Sequence, residues 1–207
     1  MDSLGKCDIM NATIRRIAPE EYTASRWSGG TTTQIAIAPA GAVYAERDFL
    51  WRASSATVEL ETSDFTSLPD YERFLSTLRG TIRLTHGEET LELNPGSVHR
   101  FDGGAPTRSE GACTDFNLML RKGRCAGQMV CLRLSEGGVS RLSHALKATA
   151  AKRVFLVYCA EGDGELSAEG TGVRFAAGEA ALAENVEPLL RCTSASAFLI
   201  CEIAETI

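Results

Sequence analysis

Two arginines lie in segments whose composition is typical of half-buried β-strands. Arg52 lies in the segment 48–60 and Arg73 in the segment 71–78, both rich in aromatic, Ser, Thr and aliphatic residues. The segment 63–70 between them is dense in turn-forming residues and indicates a structured loop. A guanidinium near a core needs a carboxylate, either from the protein or from a ligand. Arg52 and Arg73 can therefore clamp the carboxylate of a small molecule.

Four further polar side chains are candidates for the same site. Asp115 and Asn117 are two residues apart, so on a strand they share one face. Asn117 offers a donor and an acceptor, and Asp102 and Asp115 can accept a hydrogen bond from an amine or an imidazole. His99 follows a turn and is either a candidate ligand contact or a satisfied rim or core histidine. This mixture predicts a small anionic or amino-acid-like metabolite as the partner.

A structural alternative accounts for the same residues. Arg52 or Arg73 can form a buried ion pair with Asp115 or Asp102 and simply tie strands together. Strand alternation places the aromatic neighbours Trp51 and Phe116 on the opposite face, where we expect them to belong to the core. The sequence leaves both roles of the arginines open.

The elements that must position these side chains are predominantly β-strands. Strand-like runs at 13–17, 74–78, 81–85, 90–93, 97–101, 113–120 and from 154 onward, and one that begins after the Gly29-Gly30 pair, alternate with turn signals. This spacing predicts an all-β protein built as an antiparallel sandwich or barrel. The Gly29-Gly30 pair is interpreted as a loop entering a strand, since no Gly-Lys-Ser/Thr sequence follows it.

A repeat indicates two similar halves. Gly80 and Gly96 recur at an offset of 82 residues as Gly162 and Gly178, and five apolar positions coincide at the same offset. Generic β-meander spacing is the alternative explanation. We predict a duplicated barrel: a flexible leader 1–11, a first barrel 12–136, a helix or coil connector 137–151, and a second half 152–207 that shares strands with the N-terminal segment.

Composition excludes several classes of function. The chain has 207 residues with 44% hydrophobic and 23% charged residues, a formal net charge of −6, and no run of Lys or Arg, so a nucleic-acid partner is not expected. No window approaches 18 uninterrupted apolar residues, and the first ten residues lack the apolar core of a signal peptide. We therefore expect no membrane association and a cytoplasmic location.

Neither metal nor cofactor is expected. The seven cysteines contain no C-x-x-C pair, which argues against a disulfide framework and a zinc knuckle. The three histidines, at 86, 99 and 144, would all have to converge to form a metal centre, and their spacing does not favour this. No convincing nucleophile or cofactor motif is present, so no catalytic residue is assigned.

Several motifs together resemble the HutD/Ves family of the cupin superfamily. They are Trp27-Ser-Gly-Gly-Thr-x-Thr-Gln34, Asp48-Phe-Leu-Trp-Arg-Ala-Ser54, Phe65-x-x-Leu-Pro-x-x-x-Arg73, Phe101-Asp-Gly103 and Thr114-Asp-Phe-Asn-Leu-Met-Leu-Arg121. The resemblance is strong over residues 12–124 and weaker beyond. It implies a bacterial, cytoplasmic two-cupin (bicupin) protein with a small-molecule pocket, possible homodimerisation, and a genomic association with histidine degradation. Gln34 and Asp70 stand where the family commonly has Glu and Gly.

Two functions are compatible with these residues. The first is a metal-free, regulatory binder that senses a histidine-degradation intermediate such as urocanate or a formyl- or formimino-glutamate. The second is a metal-independent enzyme acting on such a metabolite, with Asp115 or Asp102 as acid and base, because a carboxyl held in a dry barrel can have a pKa near neutral. A scaffold without a ligand is the third possibility.

Overall fold

A computed structural model describes residues 12–143, 145 and 152–206, which form strands and two short 3-10 helices, Pro19–Glu21 and Tyr44–Glu46. The predicted all-β class is confirmed. In chain order the strands are β1 Thr13–Ile17, β2 Thr23–Trp27, β3 Gly30–Ala38, β4 Trp51–Val58, β5 Thr62–Asp64, β6 Tyr71–Arg79, β7 Ile82–His86, β8 Glu89–Leu93, β9 His99–Asp102, β10 Thr107–Glu110, β11 Cys113–Arg121, β12 Cys125–Leu134, β13 Val139–Arg141, β14 Lys152–Glu161, β15 Asp163–Ala168, β16 Thr171–Ala176, β17 Ala180–Glu184, β18 Leu189–Arg191 and β19 Ser196–Glu205. The predicted leader 1–11, the segment 146–151 of the predicted connector, and His144 lie outside the described residues.

The strands form four antiparallel sheets. A six-stranded sheet has the order β2-β3-β4-β11-β6-β9, and a four-stranded sheet has the order β5-β10-β7-β8. The strands of residues 152–206 form two further sheets together with β1, β12 and β13: a five-stranded sheet of order β1-β17-β14-β19-β12 and a four-stranded sheet of order β13-β18-β15-β16. The N-terminal strand β1 therefore pairs with β17 of the second half. In the described part of the chain no helix has the length and apolar character of a membrane span.

Three apolar clusters connect these sheets. One, which includes Leu75 and Leu84, fills the space between the six-stranded sheet and the first four-stranded sheet. A second, which includes Phe116 and Leu199, joins the six-stranded sheet to the five-stranded sheet. A third, which includes Phe198, joins the five-stranded sheet to the second four-stranded sheet. The two larger sheets are therefore covered on both faces, and both faces of their central strands are buried.

The strand order of one half recurs in the other. Strands β14 to β19 each begin 81 to 83 residues after β6 to β11, in the same order. Pairings recur as well: β11 pairs with β6 as β19 does with β14, and β7 pairs with β8 and β10 as β15 does with β16 and β18. These separations agree with the glycine offset of 82 residues found in the sequence.

Some short strands lie where the sequence indicated loops. Strand β13 falls inside the segment 137–151 that was predicted as helix or coil, so that prediction is wrong for residues 139–141. Strands β2, β5 and β10 were also not predicted as strands. They are three to five residues long and carry few apolar side chains, so no hydrophobic alternation marks them. Hydrogen bonds to a partner strand define them instead.

The turn between β2 and β3 generates a stability prediction at Gly30. Its φ angle is +152°, and a Cβ placed there would lie 1.8 Å from the carbonyl oxygen of Thr57 on β4. Because backbone atoms cannot move aside cheaply, Gly30→Ala should lower the free energy of unfolding by about 3 kcal/mol or more. Gly41 is a matched control, since it also has a positive φ, of +86°, but open space around the added methyl. Gly41→Ala should lower the free energy of unfolding by only about 1–2 kcal/mol. Urea unfolding of both variants measures the difference, and equal losses of stability would contradict a steric clash at Gly30.

Candidate functional site

A cavity of about 340 Å³ lies between the six-stranded sheet and the first four-stranded sheet. Alternate residues of β4 and β11 line it in cross-strand pairs. From one end to the other these pairs are Arg52 with Met119, Ser54 with Asn117, Ala56 with Asp115, and Val58 with Cys113. The intervening residues, among them Trp51 and Phe116, point into the opposite core, as the alternation predicted. The cavity therefore grades from a cationic end to an apolar end.

Arg73 on β6 lies beside the cationic end, and its guanidinium has no hydrogen-bond partner among the described residues. Its side chain is buried, with 5% of the residue exposed, and its Nε atom is inaccessible and unpaired. The guanidinium stacks on the rings of Phe65, at 4.7 Å from the centroid, and Phe101, at 5.4 Å. Burial lowers the pKa of Arg73 to about 10, so the group is still charged at neutral pH.

Arg52 is held more firmly. Its Nε donates to Gln34 Oε1 at 2.8 Å and its Nη1 donates to Ser54 Oγ at 3.0 Å. The guanidinium also lies 4.3 Å from the centroid of the Tyr44 ring. Burial lowers the pKa of Arg52. Because Gln34 and Ser54 are both neutral, these contacts orient the guanidinium without compensating its charge.

Asp115 is the buried acid of the cavity, with 5% of the residue exposed. Its Oδ1 accepts a hydrogen bond from the backbone N–H of Ala56 at 3.1 Å, and its other oxygen accepts none from the described residues. Burial raises the pKa of Asp115 to about 7, against the opposing effects of this hydrogen bond and of Arg73. Next to it along β11, Asn117 Oδ1 is buried without a hydrogen-bond partner.

The structure separates the two roles considered for the arginines. Across residues 12–143, 145 and 152–206, no ion pair within 4.0 Å joins Arg52 or Arg73 to Asp115 or Asp102. Arg73 and Asp115 interact only at longer range. The hypothesis of a buried ion pair that ties strands together therefore has no support in this geometry, and the buried groups of the cavity, Arg52, Arg73 and Asp115, carry an excess of positive charge.

Asp102 and His99 do not join this group. Asp102 is exposed and forms an ion pair with Lys122 at 2.7 Å, and this interaction with the donated N–H of Gly104 lowers its pKa. His99 Nε2 lies 3.1 Å from His86 Nε2, and neither histidine lines the cavity. Of the six candidate residues, the structure brings Arg52, Arg73, Asp115 and Asn117 together.

Sequence reasoning did not identify several lining residues. Ser54 and Ala56 follow Arg52 at intervals of two on the same strand, so the alternation of β4 could have found them. Tyr44 lies in a 3-10 helix between β3 and β4, and Ser109 lies on β10, which has no clear strand signal. Their positions depend on tertiary contacts alone.

Two larger surface grooves, of about 930 and 600 Å³, lie on the second half of the molecule. Their charged residues are exposed or half-exposed, and several are already paired, as Arg16 is with Glu179 and Arg174 with Glu165. The described residues that line these grooves include no buried, unpaired charge comparable with Arg73. The smaller cavity of the first half is therefore the better candidate for a binding site.

Comparison with known proteins identifies the family. The family model described as HutD matches residues 19–200, which is most of the chain. The chain belongs to the HutD family. This membership confirms the HutD part of the resemblance found in the sequence motifs. No curated protein matches the chain.

Solved structures show the same fold. A conserved protein of unknown function from Pseudomonas aeruginosa PAO1 is 20% identical, with a TM-score of 0.77 over 94% of this chain and 100% of that one. HutD from Pseudomonas fluorescens SBW25 is 22% identical, with a TM-score of 0.71 and the same coverage. A bacterial pirin from Escherichia coli, in complex with nickel(II), is 11% identical, with a TM-score of 0.68 over 94% and 100%. This HutD-family protein thus has the fold of cupin proteins.

The metal-bound pirin raises the question of whether a metal ion fits the cavity of this protein. The lining presents two buried guanidiniums, from Arg52 and Arg73, and two carboxyl groups, the buried one of Asp115 and the exposed one of Asp64, which lies 3.9 Å from Arg108. Two fixed positive charges repel a cation. Within the described residues no group of three or more His, Cys, Asp and Glu side chains could hold a metal ion. The donor set of the cavity therefore fits an anion and does not fit a metal cation.

The buried acid makes stability depend on pH in a definite direction. An unfolded Asp has a pKa of about 3.9, whereas that of folded Asp115 is raised to about 7. The folded protein therefore binds more protons between these values, and this group's contribution to stability falls as the pH rises from about 4 to about 7. Asp115→Asn removes that dependence. Above pH 7 the free energy of unfolding of Asp115→Asn should exceed that of the parent by on the order of 4 kcal/mol, at about 1.4 kcal/mol per pKa unit. Near pH 4 the two free energies should be nearly equal.

Chemical unfolding of both proteins at pH 4, 6 and 8 measures this difference. Asp102→Asn is the control, because its carboxyl is exposed and its pKa is lowered, so no gain is expected at pH 8. If the difference in free energy of unfolding between the parent and Asp115→Asn is the same at pH 8 as at pH 4, folding does not raise the pKa of Asp115.

Proposed function

We propose that this HutD-family protein binds a small metabolite that carries a carboxylate at one end and an N–H donor at the other. The observation that supports this most directly is the buried, unpaired guanidinium of Arg73. An isolated buried charge is unfavourable by several kcal/mol. A ligand carboxylate, held by Arg73 and by the oriented Arg52, supplies the missing counter-charge in bidentate geometry.

The order of residues along the cavity supports the second part of the proposal. Successive lining pairs are about 6.6–6.8 Å apart along a strand, so Asn117 lies one step and Asp115 two steps from Arg52. The unpaired Oδ1 of Asn117 can accept an N–H from the middle of a ligand. The second oxygen of Asp115 can accept from its far end, beside the apolar pair Val58 and Cys113.

Family membership narrows the chemical class. We propose a histidine-degradation intermediate, either urocanate, which joins a carboxylate to an imidazole, or a formyl- or formimino-glutamate, which joins carboxylates to a substituted N–H group. We further propose a regulatory role in which the protein senses this metabolite. Cys113, the thiol in the cavity lining, is not an activated nucleophile, because burial raises its pKa to about 12.

One observation favours an enzyme as the second candidate. A buried carboxyl with a pKa of about 7 is well suited to general acid and base catalysis near neutral pH. In this case Asp115 would transfer a proton to or from the N–H end of the bound metabolite, while Arg52 and Arg73 fix its carboxylate. No metal takes part in either candidate function.

The two halves of the fold fit the same proposal. We propose that they derive from one duplicated cupin-like barrel, which the recurring strand order and pairing support. The positions of Arg73 and Asp115 in the second half are taken by Phe155 and Ala197 at the offset of 82. Only the first copy would then have kept a polar cavity.

Replacing Arg73 tests the binding proposal. A ligand present at a hundred times its dissociation constant adds about 2.7 kcal/mol of stability, or roughly 5–10 °C in Tm. We expect one member of a panel of urocanate, histidine, formylglutamate, formiminoglutamate and glutamate to raise the Tm of the parent by this amount. Arg73→Met should abolish the shift and leave the Tm without ligand unchanged or higher, because it removes an unpaired buried charge.

Arg100→Met is the matched control. Arg100 lies on β9 next to β6, but its side chain is exposed and paired with Glu72 at 2.6 Å. Its replacement should preserve the ligand-induced shift. If Arg73→Met unfolds at much lower temperature without ligand and still responds to it, Arg73 is structural and the proposal is wrong.

Turnover separates the two candidate functions. Asp115→Asn keeps the shape of the side chain and cannot exchange a proton. If the protein is an enzyme, this variant should bind the shifting metabolite and lose its conversion, as followed by proton NMR of the mixture. If the parent binds the metabolite and converts none of it over hours, the result supports the sensor function and excludes an enzyme acting on that compound.

A further inference from the structure

Two histidines meet outside the cavity. His86 ends β7 in the four-stranded sheet, and His99 begins β9 in the six-stranded sheet. Their Nε2 atoms are 3.1 Å apart and their ring centroids 5.0 Å apart. Both residues are half-buried. This contact therefore joins the two sheets of the first half at a place that solvent can reach.

A hydrogen-bond chain fixes the orientation of His86. The hydroxyl of Thr107 donates its one proton to the carbonyl oxygen of Ala105 at 2.9 Å. Thr107 Oγ1 must then accept from His86 Nδ1–H, which lies 2.9 Å away. In the neutral ring Nε2 of His86 consequently carries a lone pair, and His99 donates its Nε2–H to it. A histidine held through Nδ1–H, with an unprotonated Nε2, is typical of a metal ligand.

The geometry of the pair matches two imidazoles on one ion. With metal–nitrogen distances of about 2.05 Å, nitrogens 3.1 Å apart subtend an angle of about 98° at the metal, between octahedral and tetrahedral values. The ring centroids would then be about 4.8 Å apart, close to the observed 5.0 Å. We propose that His86 and His99 bind a divalent transition-metal ion, such as Ni²⁺, Cu²⁺ or Zn²⁺, that crosslinks the two sheets.

Binding requires little rearrangement. The proton that His99 shares with His86 moves from Nε2 to Nδ1 of His99, through solvent, and both Nε2 lone pairs then face the ion. The described residues place no third protein ligand in position, so water completes the coordination. Glu89 is exposed and is the cross-strand partner of His86, so its carboxylate is on the same face of the hairpin and offers a compensating negative charge.

This site is distinct from the proposed ligand cavity. The ring of Phe101 does not separate the two sites completely: its centroid is 4.8 Å from that of His86 and 5.6 Å from that of His99, and it lies 5.4 Å from the Arg73 guanidinium. Neither histidine lines the cavity. Metal binding at the pair and carboxylate binding at Arg73 can therefore be tested separately, and the failure of one leaves the other standing.

Titration of chelator-treated, full-length protein with Ni²⁺ tests the proposal. Isothermal titration calorimetry should give one equivalent bound, and saturating Ni²⁺ should raise the Tm of the parent, because the ion crosslinks the folded state. His99→Gln and, separately, His86→Gln should weaken binding at least tenfold and abolish the rise in Tm. Thr107→Val, which removes only the orienting hydroxyl, should weaken binding by roughly 10–100-fold.

His144→Gln is the control for adventitious binding, since it removes the third histidine of the chain and should leave the affinity unchanged. A spectroscopic count adds a second readout: the electron paramagnetic resonance spectrum of bound Cu²⁺ should show two nitrogen ligands in the parent and one in His99→Gln. Unchanged Ni²⁺ affinity in both His99→Gln and His86→Gln, or no binding by the parent, would overturn the proposal.

Discussion

The in-register pairing of β4 with β11 is the constraint on which the rest of the site depends. Because side chains alternate across a strand, this register turns Trp51 and Phe116 into the core shared with the second half and turns Arg52 and Asp115 into the cavity. A slip of one residue would bury two charged groups in that core and expose aromatic rings to the cavity. The packing of the apolar face therefore determines which polar side chains face the cavity.

The second half of the molecule holds this register in place. The outer face of β4 packs against the five-stranded sheet, and Trp51 Nε1 donates to Glu205 Oε1 on β19 at 2.9 Å. With both faces covered, the central strands cannot relieve the unfavourable charge of the cavity by moving. The packing of the core thus stabilises the fold enough to offset the uncompensated positive charge of the cavity. Such local violations are common at functional sites.

Within the cavity, aromatic rings replace carboxylates as neighbours of the arginines. Tyr44 lies against Arg52, and Phe65 and Phe101 lie against Arg73. Each guanidinium therefore has partial compensation from ring faces, and no acid in the described part of the chain pairs with it. This arrangement fixes the planes of both groups and leaves their charge available. The burial that raises the pKa of Asp115 also keeps that acid from neutralising them fully at neutral pH.

The sequence by itself determined the all-β class, the family motifs, and the shared face of Asp115 and Asn117, because turn residues and period-two alternation are local properties of the chain. Only the tertiary structure decided that Asp102 pairs with Lys122, that His99 meets His86, and that the Arg73 guanidinium has no acid partner among the described residues. Each of these outcomes depends on register between strands, loop closure or facing sheets. Such contacts are set by hydrogen bonding and packing among residues distant in sequence, which no local pattern encodes.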